Sequence, residues 1–233
     1  MRALILAAGY GKRLGKITKS KPKCLIKYNK DNTMLDMWIK KLINCGIYDI
    51  LINTHYKSKE VNLHIKNNYS KISSIKTTFE KKLLGTGITI FKNKIYFKDV
   101  ESVVLHADNY APNFNFKKLI SYHKKRPKNA RITMLAFKTN DHKNSGIVKT
   151  NNKKMLKKFY EKKSNKYGTF ANGAIYILTK GCLKNFIKPK FNDFFLDMCE
   201  QYKNFIYVYK YKGIFIDIGS VKNYNKITKF KNI

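Results

Sequence analysis

Apolar positions in the first half of the chain alternate between two periods. Residues 2–7, apolar in every position after Arg2, form a short run bounded by Gly9 and Gly11, which predicts a buried parallel strand. Over residues 33–45 the apolar side chains fall at Leu35, Trp38, Ile39, Leu42 and Ile43, the stripe of an amphipathic helix. Thr33 and Asp36 have capping-box spacing at its start, and Gly46 stands where a C-terminal cap belongs. Further along, residues 50–54, 75–79 and 102–105 read as strands. Residues 58–68 and 85–93 read as helices, and so do 116–125, stopped before Pro127.

From residue 130 the pattern turns strand-rich, with strands expected over 131–138, 146–150, 155–161 and 171–178. Asn151-Asn152 reads as a hairpin turn between two of them. Helices over 180–186 and 193–202, strands over 205–211 and 214–218, and a last helix complete the chain. The whole predicts an α/β fold: one Rossmann-like domain over residues 1–233, with a mixed, mainly parallel central sheet and a hairpin-containing second half. No repeat, low-complexity linker or domain boundary interrupts it.

Composition narrows the classes. Across 233 residues, 43% hydrophobic and 14% aromatic content is that of a folded globule, which excludes disorder despite a formal charge of +35. No stretch reaches the length of a membrane span, and the short apolar N-terminal run ends in Gly and Lys, a strand and not a signal peptide. Cys24, Cys45, Cys182 and Cys199 lack metal or C-x-x-C spacing and are expected as reduced thiols in a cytoplasm. The lysines are dispersed in pairs such as Lys40-Lys41, Lys81-Lys82, Lys124-Lys125 and Lys157-Lys158 instead of forming a basic arm. No specific nucleic acid is expected as a partner. A basic nucleic-acid-binding protein is the alternative from another class; it requires a charge cluster and exposed stacking aromatics. With only 14 acids, one set in an apolar run stands out.

The first strand leads into Gly9-Tyr10-Gly11-Lys12-Arg13-Leu14. Glycines let backbone N–H groups approach a phosphate, and Arg13 adds a fork of donors. A dinucleotide fingerprint needs Gly where the chain has Leu14. A P-loop needs Gly at Leu6 and Ser or Thr at Arg13, so both motifs fail. A basic stretch and Pro22-Lys23 follow.

The segment Leu6-Ala7-Ala8-Gly9-x-Gly11-x-Arg13-Leu14, followed by Pro22-Lys23, resembles the signature of the sugar-1-phosphate nucleotidyltransferases. Lys12 stands where Thr is usual, and Gly15-Lys16 where Pro is familiar. The resemblance continues in order through Glu80 to Gly87, and through Val104 to Asp108, with Ala107 where Gly is usual. It goes on through Ser145 to Val148, Tyr160-Glu161-Lys162, Asn172 to Tyr176 and Phe215 to Gly219. The chain ends soon after, so no β-helical acyltransferase domain of the kind some relatives carry is expected.

The resemblance implies site roles. Arg13, Lys23 and Lys162 would be catalytic cations on the phosphates. Leu6, Ala8, Gly9, Gly11, Glu80, Gly85, Thr86 and Asp108 would bind the nucleotide. Gly146, Glu161 and Asn172 would take the sugar phosphate, and Asp108 and Asp217 would hold Mg²⁺. The residues carry part of this themselves. Asp108 and Asp217 each sit at or in a buried apolar run, where a carboxylate is costly unless paired or bound to a cation. Magnesium prefers one or two carboxylates plus phosphate oxygens. A helix cap or turn is the plain structural reading for Asp108, and a solvated acid beside Lys81 and Lys82 that for Glu80. Glu161 and Asn172 read otherwise as strand-end caps, and Lys162 as a solvated side chain. His106 is expected to pack past its strand, and His55, His64, His123 and His142 to lie on the surface.

The implied reaction joins an NTP and a sugar 1-phosphate, giving an NDP-sugar and pyrophosphate for cell-surface polysaccharide precursors. The attacking phosphate is already anionic, so no protein base is needed. A carboxylate at Glu80 is an acceptor only, which favours GTP and then CTP. Within the family the chain looks most like mannose- or heptose-1-phosphate guanylyltransferases. Asp108-Asn109-Tyr110 is also similar to cytidylyltransferases acting on a sugar, alditol or choline-like phosphate. A homo-oligomer and a catalytically silent homologue are both compatible with the sequence.

Overall fold

The computed structural model describes residues 1–161 and 167–229. In chain order the strands are β1 (Arg2–Leu6), β2 (Asp49–Thr54), β3 (Ile75–Phe79), β4 (Ser102–His106), β5 (Asn109–Tyr110), β6 (Ile132–Lys138), β7 (Ile147–Thr150), β8 (Leu156–Tyr160), β9 (Phe170–Leu178), β10 (Ile206–Tyr211) and β11 (Ile216–Asp217). The helices are α1 (Lys16–Ser20), α2 (Met34–Ile43), α3 (Ser58–Tyr69), α4 (Thr86–Lys92), α5 (Phe116–Lys124), α6 (Phe194–Tyr202) and α7 (Val221–Lys229). This is the α/β fold expected, with parallel pairing dominant early and a hairpin in the second half.

The residues group into two compact units. The first comprises Arg2–Leu83, Leu105–Phe114 and the chain from Ile214 onward; the second comprises Leu84–Val104 and Asn115–Gly213. Each is assembled from separated segments, which is why no composition shift marks a boundary.

In the first unit β1 and β3 both pair in parallel with β2. Ala3, Leu4 and Ile5 are fully buried, as are Ile50 and Ile52. Burying each of these Leu and Ile side chains contributes roughly 1.5–3 kcal/mol. The α2 stripe buries Leu35, Trp38, Ile39 and Leu42. Its start is the expected capping box: Asp36 N–H donates to Thr33 Oγ1 at 3.2 Å, and Thr33 N–H returns to Asp36 Oδ2 at 2.7 Å. The Asp36 carboxylate also accepts from His64 and from the Tyr69 hydroxyl on α3, which locks the two helices together. Burial works against its ionisation, but these hydrogen bonds hold it well below the usual carboxylate range.

In the second unit β10 pairs in parallel with β6, β6 pairs antiparallel with β9, and β7 and β8 form the hairpin. The loop spans more than Asn151-Asn152, because Asn151 N–H bonds to Met155 O at 2.9 Å and Lys154 takes φ 59°. Residues 180–186 are a run of turns instead of the expected helix. Their bonds close i to i+3, as in Lys184 N–H to Gly181 O, and Gly181 sits at φ 70°. The expected strand 214–218 shortens to β11, which pairs only with β5 as a separate antiparallel ribbon. Among the described residues no helix is long and apolar enough to cross a membrane, and all four cysteines are free.

His123 was expected on the surface but is fully buried on α5. Its Nδ1 lies 2.6 Å from Thr133 Oγ1, and Glu101 faces its Nε2 at 3.3 Å beside Arg126. Burial, and then the Arg126 charge, depress its pKa from 6.5 to about 4. The unfolded chain therefore binds more protons between these values, and stability falls as pH drops from 6.5 toward 4. Linkage puts the loss at about 3 kcal/mol. Urea melts across this range should show that slope, and His123→Gln should flatten it; equal slopes in both proteins would refute the assignment.

Candidate active site

The first unit gathers one charged cluster at the end of β1. After Leu6 the chain leaves the sheet through Gly9 and Gly11. Gly11 adopts φ 67°, and a β-carbon there would fall 2.8 Å from Thr18 Cγ2, so only glycine fits this turn. Thr18 on α1 braces the loop by donating from Oγ1 to Gly11 O at 3.0 Å. Arg13 follows on a short 3-10 turn, exposed, with its guanidinium against Gly219: a β-carbon at Gly219 would lie 2.7 Å from Arg13 Nη2 and 3.0 Å from Asp217 Oδ2.

Asp108 and Asp217 meet through the β5–β11 ribbon. Asp217 pairs with Asn109, and Ile218 N–H donates to Asp108 O at 3.0 Å. Trp38 Nε1–H anchors the ribbon by donating to Asn109 O at 3.0 Å. Lys23, on a 3-10 turn after Pro22, points its ammonium at both acids. It ion-pairs with Asp108 Oδ2 and lies 3.6 Å from Asp217 Oδ1. Side-chain exposure is 12% for Lys23, 28% for Asp108 and 49% for Asp217, so the cluster opens to solvent on the Asp217 side. Gly219 N–H holds Asp217 Oδ1 at 2.8 Å, and Asn223 holds the Asp217 carbonyl.

Electrostatics follow from this arrangement. Burial opposes the Lys23 charge, but Asp108 and Asp217 overcome it and raise its pKa. Burial also opposes ionisation of Asp108, yet Lys23, then His106, hold its carboxyl below the ordinary value. For Asp217, burial and the charge of Asp108 push the carboxyl up. Two carboxylates converging on one cation, one of them half exposed, form a donor set that fits Mg²⁺ with phosphate oxygens completing the shell. Among the described residues no three His, Cys, Asp or Glu gather for a metal.

Glu80 is buried and not a solvated acid beside Lys81 and Lys82. Its Oε1 accepts from Asn53 Nδ2 at 2.9 Å, and Asn53 Oδ1 accepts from Ala7 N–H at 2.7 Å. Thus β2 ties Glu80 to the residue between Leu6 and Ala8. Asn53 escaped the sequence reading, although a polar residue closing the run Ile50 to Ile52 could have flagged it.

In the second unit Gly146, Glu161 and Asn172 come together. A β-carbon at Gly146 would collide with the Phe159 ring and lie 3.3 Å from Glu161 Oε2, and Gly146 O accepts from Asn172 N–H at 3.0 Å. The Asn172 amide is held by the Tyr176 hydroxyl at 2.8 Å. Glu161 is exposed. Gly85 opens α4, and Thr86 Oγ1 accepts from Phe194 N–H at 2.8 Å, so its hydroxyl ties α4 to α6. Lys162 lies outside the described residues.

Comparison with known proteins gives the family and the fold. The family model described as nucleotidyl transferase matches residues 2–232. A glucose-1-phosphate adenylyltransferase of Clostridium botulinum is 26% identical over 244 residues, covering 95% of this chain and 63% of its own length. A Sulfolobus acidocaldarius protein assigned as a mannose-1-phosphate guanyltransferase is 26% identical, covering 97% of this chain and 61% of its own. The chain therefore spans less than two thirds of these relatives. A Bacillus anthracis protein assigned as a glucose-1-phosphate thymidylyltransferase, solved with sucrose, shares the fold at a TM-score of 0.86 and 19% identity, covering 99% of this chain and 95% of that one. With the family model matching nearly end to end, the chain belongs to the nucleotidyl transferase family.

Proposed function

We propose that this protein transfers a nucleotidyl group from an NTP to a sugar 1-phosphate, releasing pyrophosphate and an NDP-sugar that serves polysaccharide precursor synthesis. One observation carries the reading: Asp108, Asp217 and Lys23 converge beside the Gly9–Gly11 loop and Arg13. The loop amides and Arg13 would hold the departing pyrophosphate. Lys23 would neutralise the α-phosphate and align it for in-line attack. A divalent cation on Asp108 and Asp217 would draw charge off the phosphate oxygens. The sugar-phosphate oxygen is anionic at neutral pH, so no side chain has to remove a proton. The family resemblance assigns Gly146, Glu161 and Asn172 to the sugar and Lys162 to its phosphate.

Glu80 favours a base that presents donors, and guanine presents two adjacent ones, so GTP is the preferred nucleotide and a mannose- or heptose-type phosphate the preferred acceptor. Relatives named for adenylyl and guanylyl transfer share the same identity with this chain, so base choice rests on Glu80 alone. CTP is the second choice.

A pyrophosphate-release screen of the four NTPs with Mg²⁺, against sugar 1-phosphates and alditol phosphates, tests the proposal. Release with GTP and a mannose- or heptose-type phosphate is expected. Release with CTP alone would sink the base assignment, and no release with any pair would sink the reaction.

A further inference from the structure

Tyr10 anchors the glycine loop through a side-chain contact that the reaction does not itself require. Tyr10 stands between Gly9 and Gly11, and its hydroxyl lies 2.8 Å from His55 Nε2. The other ring nitrogen, His55 Nδ1, lies 2.8 Å from Glu80 O. A carbonyl only accepts, so Nδ1 carries the proton, and in the neutral ring Nε2 accepts from Tyr10. Glu80 is held from two further sides: its N–H donates to Thr54 O at 2.8 Å, and its carboxylate accepts from Asn53, which also accepts the Ala7 N–H. The circuit closes from Ala7 through Asn53, Glu80 and His55 back to Tyr10. The Tyr10 ring meets His55 edge-on at 5.2 Å and tilts on Tyr56 at 5.5 Å. Tyr56 fastens the same loop again, through its N–H to Ala8 O and its hydroxyl to Thr18 O.

The residues on either side of Tyr10 are glycines, so the loop has little conformational preference of its own. From this circuit we infer that Tyr10 and His55 are positioning residues that hold the loop amides in register for a triphosphate and couple that register to Glu80. The inference rests on the proposed nucleotide site. Its consequence is specific: nucleotide affinity depends on a tyrosine hydroxyl whose partner is the His55 ring.

The test compares the full chain with Tyr10→Phe, His55→Asn, His55→Gln and the double variant Tyr10→Phe/His55→Asn. Readouts are hydrogen exchange at residues 9–11, affinity for a fluorescent GTP analogue, and KM against kcat. Losing one such bond should weaken nucleotide binding and raise KM for the nucleotide by about 3- to 10-fold with kcat nearly unchanged, and should speed exchange at residues 9–11. His55→Asn can keep the bond to Glu80 O but not the one to Tyr10, so the double variant should be no worse than the single ones. His55→Gln can still accept from Tyr10 and should recover part of the loss. Faster exchange with unchanged affinity would make the clasp merely structural and overturn the inference, and so would unchanged exchange. If the unsubstituted protein binds no nucleotide, the proposed function fails first, and the exchange data still report on the clasp.

Discussion

Replacing Asp108 by Asn lowers turnover at least about 1000-fold, equivalent to roughly 4 kcal/mol of transition-state stabilisation. The change keeps the shape of the side chain and removes its charge. The backbone bond from Ile218 N–H to Asp108 O, which joins β5 to β11, does not involve the carboxylate, so the ribbon should persist. Lys23 keeps Asp217 as a partner at 3.6 Å. A loss of activity with an unchanged circular dichroism spectrum and a small change in melting temperature is the expected pattern. Near-normal activity would remove Asp108 from the chemistry.

The Lys23→Met variant loses both activity and stability. Lys23 is the cation that separates Asp108 from Asp217. Without it two carboxylates face each other, and breaking a pair that is only partly buried should cost about 2–3 kcal/mol at pH 7, less than a fully buried pair. The repulsion raises the carboxyl pKa values in the folded variant above the unfolded value of about 3.9. The unfolded chain then binds fewer protons in that window, so the variant gains stability relative to the parent as pH falls from 7 toward 5, because in the parent Lys23 limits the rise at Asp217 and holds Asp108 down. Urea melts at pH 7 and pH 5 check the sign. A stability difference between variant and parent that is the same at both pH values would show that the two acids do not interact. Turnover should fall about 100-fold or more, because the α-phosphate loses its positioned cation.

Much of the fold was legible because buried parallel strands read as unbroken apolar runs and because α2 carries its capping box in the sequence. The misread segment 180–186 has apolar residues at Cys182, Leu183 and Phe186, all buried. Burial alone gives that spacing, and the left-handed Gly181 turns the chain where a helix would begin. His123 was legible in principle: Phe116, Leu119 and His123 share the buried face of α5 at helical spacing. A histidine read in isolation as polar hides that periodicity.

The site divides along the same line. Asp108 and Asp217 stood out because acids are scarce in this chain and these two interrupt apolar runs. Their meeting through the β5–β11 ribbon is a pairing across more than 100 residues, which no local pattern encodes. The burial of Glu80 was hidden for a related reason. Its neighbours Lys81 and Lys82 suggest solvent, but its partner Asn53 comes from β2, the strand alongside. Likewise, the Tyr10–His55 contact joins a loop to a strand end, visible only when β1 and β2 lie side by side.

Binding of Mn²⁺ in the presence of GTP, followed by electron paramagnetic resonance on the unsubstituted protein and on Asp108→Asn, tests the paired-acid site most directly. The account predicts one tightly held ion per chain in the parent and a loss of at least about tenfold in affinity in the variant. Equal affinity in the two proteins, beyond the weak binding of free Mn²⁺·GTP, would contradict it.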